Sequence, residues 1–189
     1  RLRPIFVFDF CRMCGGDWQK AAPFAAAVEM IHTYSLIHDD LPSMDNDDYR
    51  RGHLTNHKVY GEAMAILAGD ALLTDAFAMA STMELPKPED MRLAIGVLAE
   101  CAASLGMVGG QVLDIMSEER LCTEQEVLDI QTRKTGALIN AACVLGAIAG
   151  GATEGQIAAA GGFAGALGLA FQIRDDMLDV IGTTEEMGK

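Results

Sequence analysis

Apolar residues recur along this chain at helical spacing and in long runs, and nowhere do they alternate with polar ones over a useful length. Period-two alternation marks a half-buried strand, so its absence predicts an all-α fold. Residues 5–13 are apolar and run into Gly15-Gly16, a pair suited to closing a helix. Residues 20–38 are Ala-rich, with apolar side chains all round the helical wheel, which predicts a buried helix. A charged loop is expected over residues 41–56. Residues 60–83 read as the next long helix, closed by Pro86 and Pro88, and residues 89–105 as another. Residues 106–111, rich in Gly, interrupt the pattern, and residues 112–119 resume it. Thr123 followed by Glu126 is a capping box. It opens a helix expected to run through Arg133-Lys134-Thr135-Gly136 to Ile148, where Gly150-Gly151 stops it. Thr153 starts the last helix, which passes through Gln172 and Asp179 to a turn at Gly182-Thr183-Thr184. The expectation is one all-α domain over residues 1–189, a bundle of long, largely buried helices brought close by Gly and Ala.

Composition narrows the class. The 189 residues suffice for one domain with a substantial core. Half are hydrophobic, yet no run reaches the ~18 uninterrupted apolar residues of a membrane helix. No secretory signal opens the chain. It therefore reads as soluble, with no membrane span. A net charge of -13 disfavours nucleic acid, whose phosphates it would repel. The five Cys stand at 11, 14, 101, 122 and 143. Cys11 and Cys14 form a C-x-x-C, but no second pair follows at zinc spacing, so both read as core thiols. An odd, dispersed count fits a reducing compartment and predicts a cytoplasmic location.

Two polar stretches break the apolar pattern. Residues 29–61 deliver Asp39-Asp40, break at Pro42, add Asp45, Asp47 and Asp48, and continue into Arg50-Arg51-Gly52. Far downstream lies Asp175-Asp176-Met177-Leu178-Asp179, interleaved with Phe171, Ile173 and Val180. Asp175 and Asp179 share a helix face, and Gln172 joins it. Crowded carboxylates repel one another and call for a compensating cation. Oxygen-only ligands favour hard ions such as Mg²⁺ or Ca²⁺. An adjacent Arg pair suits bidentate phosphate contacts. Together these features indicate a diphosphate site. An EF-hand is rejected, because the loop lacks Gly at its sixth position and Glu at its twelfth. A metal-dependent phosphohydrolase built on His38-Asp39 with His32 leaves the downstream aspartates unexplained.

The candidate phosphate-binding cations are Arg3, Arg50, Arg51, Lys58, Lys134 and Lys189. Lys134, followed by Thr135-Gly136 within an apolar helix, is the least ordinary of them. His32 lies two helical turns before Asp39 on the same face. Asp70 and Asp114 stand in apolar surroundings and need partners if buried; neither acquires a role. No Ser/His/Asp or Cys/His nucleophile and no glycine-rich phosphate loop is discernible. The chemistry should therefore rest on positioning and on stabilising charge.

These pieces resemble trans-isoprenyl (polyprenyl) diphosphate synthases, most of all bacterial-type farnesyl diphosphate synthases. The matching segments are RLRP, EMIHTYSLIHDDLPSMDNDDYRRG, TNHKVYGEAMAILAGDALL, GMVGGQVLD, KTGALI and FQIRDDMLDVIGTTEEMGK, in the family's order over essentially the whole chain. The resemblance implies a bundle of long helices around a central pocket, as a homodimer. It implies head-to-tail condensation of isopentenyl diphosphate onto an allylic diphosphate (dimethylallyl or geranyl), with three Mg²⁺ bridging substrate and both aspartate motifs. Carried over by position, Asp39, Asp45 and Asp175 match metal ligands. Asp40, Asp176 and Asp179 match supporting or water-mediated partners. Arg50, Lys134, Thr135, Gln172 and Lys189 fall on the allylic side, and Arg3, His32 and Arg51 on the isopentenyl side. Tyr34, with small Ser35 beside it, is expected to limit chain length, because an aromatic residue there goes with a farnesyl product in the family. Alternatives are a geranylgeranyl diphosphate synthase, a non-catalytic subunit, which would be expected to have lost aspartates, and a terpene cyclase, which needs no Arg3, His32 and Arg51. Family members carry a helix before the Arg-x-Arg-Pro and further helices after the final Gly-Lys. The chain is therefore expected to be the central part, lacking the first helix and the C-terminal ones.

Overall fold

A computed structural model describes residues 1–118 and 120–181, with side chains described up to Ala170 apart from residue 119. The predicted turn at Gly182-Thr183-Thr184 and Lys189 lie outside the described residues, as do the side chains of Gln172, Asp175, Asp176 and Asp179. The chain forms α1 (Leu2–Met13), a 3₁₀ turn (Trp18–Ala21) and α2 (Ala22–Asp39). Then come two short strands, β1 (Tyr49–Arg50) and β2 (His53–Leu54), and helices α3 (Asn56–Tyr60), α4 (Glu62–Ser81) and α5 (Pro88–Ala102). Helices α6 (Met107–Ser117) and α7 (Glu124–Gln131), a π-helical segment (Thr132–Gly136), α8 (Ala137–Ala149) and α9 (Glu154–Ile181) complete it. The all-α expectation holds.

Local signals set most of these boundaries. Gly15 adopts φ +89 just past α1 and donates to Arg12 C=O, ending the helix there. Thr123 and Glu126 satisfy each other's backbone N–H groups across the first turn of α7. The core is built on α8, where Leu138, Ile139, Cys143, Val144, Leu145 and Ile148 are all buried. Val7 of α1, Phe24 and Ile31 of α2, and Leu98 of α5 close over it. Burying each such side chain contributes about 1.5–3 kcal/mol, so Leu138→Ala should cost roughly 2–5 kcal/mol. Cys11 packs in this core as a free thiol and Cys14 is half-buried beside it, as expected of core thiols.

Residues 107–111, read as an interruption, belong to α6, and three further details depart from the sequence reading. Residues 41–56 are not all loop: β1 and β2 pair antiparallel, Tyr49 with Leu54 and Arg50 with His53. The connecting Arg51 (φ +53) and Gly52 (φ +77) both take positive φ, the form of a tight two-residue turn. The helix expected from residue 123 to 148 is present, but it widens into the π-helical segment midway. The third departure is burial. Helix α4 buries only Ala65, Gly69, Ala76 and Ala80, and exposes Met64, Ile66, Leu67 and Met79. Its seam against α2 is made of small residues; Gly69 sits so tightly on the His38 ring that a Cβ there would overlap it. Leu72, Leu73 and Phe77 pack part-buried against the core, whereas Met64, Ile66, Leu67 and Met79 stay exposed among the described residues. Asp70 is exposed and so needs no partner. Two helical stretches, Glu62–Ser81 and Pro88–Ser117, are long and apolar enough by length and composition to cross a membrane; core helices of globular proteins share those properties.

Candidate active site

Helix α2 ends at Asp39, and the chain folds straight back: Asp45 N–H donates to Asp39 C=O at 2.9 Å, and Asn46 N–H to Leu41 C=O at 3.1 Å. Asp39 and Asp45 are thereby held together, although six positions separate them. The other acidic residues of the stretch face elsewhere. Asp40 is 3% exposed, and its Oδ1 accepts from Arg50 Nε at 2.8 Å and Nη2 at 2.6 Å. Asp48 pairs with Lys58 at 2.7 Å, and Asp47 lies 4.0 Å from Arg50. The Thr55 hydroxyl donates to Asp47 C=O at 2.8 Å and fastens the loop. Among the described residues, Asp39 and Asp45 have no ion pair. Burial pushes the Asp39 carboxyl up to about 6; nearby Lys134 opposes this and Asp45 adds to it.

A cationic cluster forms against the same helix. His32 is half-buried, and its pKa is pushed down to about 4, first by burial and then by repulsion from Arg3, Arg51 and Arg50. Arg3 is itself lowered by burial, and its buried Nε has no hydrogen-bond partner among the described residues. Buried donors without acceptors are costly. A bound anion would relieve all of these groups together.

The π-helical segment brings the third group. Its extra residue per turn makes room for Lys134 and Thr135 to project inward, a common use of π-bulges at functional sites. Helix α6 lies directly on the segment at Gly110, where a Cβ would overlap the Lys134 backbone. Lys134 Nζ donates to Asp114 Oδ2 at 2.5 Å.

One cavity of about 430 Å³ gathers these parts. Arg3, His32, Tyr34, Ser35, Asp39, Lys134 and Thr135 line it, all singled out from sequence. Tyr34 is 7% exposed and stacks edge-on to His38, ring centroids 5.7 Å apart. Met44, Met107, Val108, Val112 and Ile115 supply an apolar wall, and Gln111 and His38 complete the lining. Neither His38 nor Gln111 was expected in the cavity: His38 entered only the rejected phosphohydrolase reading, and the Gly-Gly-Gln run was read as a helix break within a family-matching segment. Asp40, Asp45, Arg50 and Arg51 are not in the lining, although Asp45, Arg50 and Arg51 act electrostatically on groups that are. Gln172, Asp175, Asp176, Asp179 and Lys189 cannot be placed in it, as their side chains lie outside the description. Among the described residues, no three His, Cys, Asp or Glu side chains converge to hold a metal. Asp39 and Asp45 are a hard-oxygen donor pair with no ion pair among the described residues, which fits Mg²⁺ better than softer metals.

Comparison with known proteins follows the same lines. The family model described as Polyprenyl synthetase matches residues 1–189. A geranylgeranyl diphosphate synthase of Cyanophora paradoxa is 50% identical over 100% of this chain. A farnesyl diphosphate synthase of Geobacillus stearothermophilus is likewise 50% identical over 100% of it. The chain spans 64% of the length of each. The crystal structure of an FPP/GFPP synthase from Zymomonas mobilis superposes with a TM-score of 0.90 at 39% identity, covering 97% of this chain and 67% of that one.

Proposed function

The chain belongs to the polyprenyl synthetase family, and from that premise we propose that its cavity joins isopentenyl diphosphate head-to-tail to an allylic diphosphate, dimethylallyl or geranyl, giving farnesyl diphosphate. The observation that carries this reading is one largely apolar cavity lined by Asp39, Lys134 and Thr135 and also by Arg3 and His32. Asp45 adds a second carboxylate beside Asp39, and Arg51 a further cation beside His32, both acting electrostatically from outside the lining.

In the reaction, the allylic C–O bond breaks and diphosphate leaves with the electron pair. The isopentenyl double bond attacks the allylic cation, and the proton released to restore a double bond passes to the departed diphosphate. Lys134 and Thr135, with Arg50, Gln172 and Lys189, hold the allylic diphosphate. Arg3, His32 and Arg51 hold the isopentenyl diphosphate. Mg²⁺, three ions per site in this reading, would be held by Asp39 and Asp45 with Asp175 and Asp179 of α9, and supplies charge that stabilises the leaving diphosphate. Asp40 supports the site by holding Arg50 in place. The wall formed by Met107, Val108, Val112 and Ile115 excludes water that would otherwise quench the cation. Tyr34 and Ser35 form the floor.

A longer product, geranylgeranyl diphosphate, is the second reading, since relatives of equal identity carry both names. The working unit is taken to be a cytoplasmic homodimer; the exposed apolar side of α4 supports the dimer. The test is Asp39→Ala and Asp175→Ala in the full chain at saturating Mg²⁺. Each should abolish turnover, a loss of several kcal/mol in transition-state stabilisation, while far-UV circular dichroism stays helical. Near-wild-type kcat in either variant would remove the carboxylate cluster from the chemistry.

A further inference from the structure

Asp114 is a charge beside the cavity that the reaction above leaves unused. It stands on α6 one turn past Gly110, half-buried, and accepts from Lys134 Nζ at 2.5 Å, twenty positions away in sequence. Asp114 also lines a second cavity, of about 330 Å³, with Ser117, Cys122 and Gln131. Lys134 and Thr135 line both cavities, whereas Asp114 lines only the second. The carboxylate therefore reaches the ammonium from outside the substrate cavity.

We propose that Asp114 is a positioning residue that fixes the Lys134 ammonium for the diphosphate of the allylic substrate. This rests on the reading of the cavity as a prenyl-transfer site. A Lys ammonium has three donors; one spent on Asp114 leaves two for phosphate oxygens. Its four-carbon stem loses rotamer freedom when it grips a ligand, and a stem already held loses less. Gly110 secures the backbone of the same residue, since α6 can approach the π-helical segment only without a Cβ there. The alternative partner for Lys134 is Asp39, close enough for the two charges to interact but not ion-paired. By holding Lys134, Asp114 keeps it from collapsing onto Asp39 and closing the cavity with an internal ion pair.

The test is a double-mutant cycle in the full chain with Asp114→Asn, Lys134→Met and both together, alongside Asp114→Glu. Asp114→Asn should raise the KM for geranyl diphosphate about tenfold and leave the KM for isopentenyl diphosphate within about twofold. In the Lys134→Met background it should add no further loss, and Asp114→Glu, which keeps the charge, should recover most of the affinity. Melting of each variant, followed by circular dichroism, shows whether it is folded. An unchanged geranyl diphosphate KM in Asp114→Asn, or an equal loss with and without Lys134, would overturn the proposal. The same cycle is read by calorimetric binding of inorganic diphosphate with Mg²⁺, which needs no turnover. Wild-type protein that binds diphosphate through this pair but forms no prenyl product would refute the proposed reaction and leave the Asp114–Lys134 coupling standing. Absence of coupling in the calorimetric cycle would refute the coupling itself.

Discussion

Tyr34 decides where a growing prenyl tail stops in this account. It precedes Asp39 by five positions on α2, about 7.5 Å along the helix axis, and is buried in the cavity wall against His38. Tyr34→Ala removes the largest obstacle while leaving Asp39 untouched. It should shift the product from farnesyl toward geranylgeranyl or longer diphosphates, with the first condensation retained; chromatography of the dephosphorylated alcohols reads this directly. An unchanged farnesol peak would mean that another side chain forms the floor. His32 carries a pH prediction. Its folded pKa of about 4 lies below the ordinary value, so between the two the unfolded chain binds a proton that the fold rejects. Stability must then fall as pH drops from about 6.5 toward 4, and His32→Gln should lose less over that window. Urea unfolding at pH 7 and pH 5 compares the two slopes; identical slopes would show that His32 is not the group responsible. Residue type and spacing were enough to single out Asp39, Arg3 and Lys134, which the fold brings to one cavity. It was not legible where a partner came from a distant element. Nothing in the sequence tells that Asp40 is taken by Arg50 while Asp39 has no ion pair among the described residues, or that Asp114 belongs to Lys134.

Among the elements, the π-helical segment matters most to the site. The residues Thr132-Arg133-Lys134-Thr135-Gly136 are compatible with an ordinary helix, so the sequence reading ran one helix through them. What sets the segment apart is tertiary: α6 packs onto it at Gly110, with no Cβ between the two backbones. Gly110→Ala should force them apart, at a cost of about 1–3 kcal/mol. That is a fall in Tm of roughly 2–12 °C for a chain of this size, with a rise in the KM for the allylic substrate. Differential scanning calorimetry and steady-state kinetics check the two effects; a variant with unchanged Tm and KM would show that the close approach is dispensable. The β1–β2 hairpin escaped notice for a different reason. Four strand residues are too few to show alternation, and its one local signal, a Gly after Arg51, is weak. The capping box and the glycine stops are local chemistry, and they were readable for that reason.

At the scale of the whole molecule, the helical pattern fixes the fold class but not which helix faces are covered. Helix α4 belongs to a bundle expected to be largely buried, yet its fully buried residues are only Ala65, Gly69, Ala76 and Ala80. Periodicity reports that a surface avoids water; it does not say whether the cover comes from the same chain. The fold brings into one cavity residues from α1, α2, α6 and the π-helical segment, spanning positions 3 to 135. That convergence is the central claim, and it predicts a reaction. The most direct measurement incubates the full chain with isopentenyl diphosphate, geranyl diphosphate and Mg²⁺, then separates the dephosphorylated products. The account predicts farnesol as the main new alcohol, dependent on Mg²⁺. Recovery of geraniol alone, with no elongated alcohol at any Mg²⁺ concentration, would contradict it.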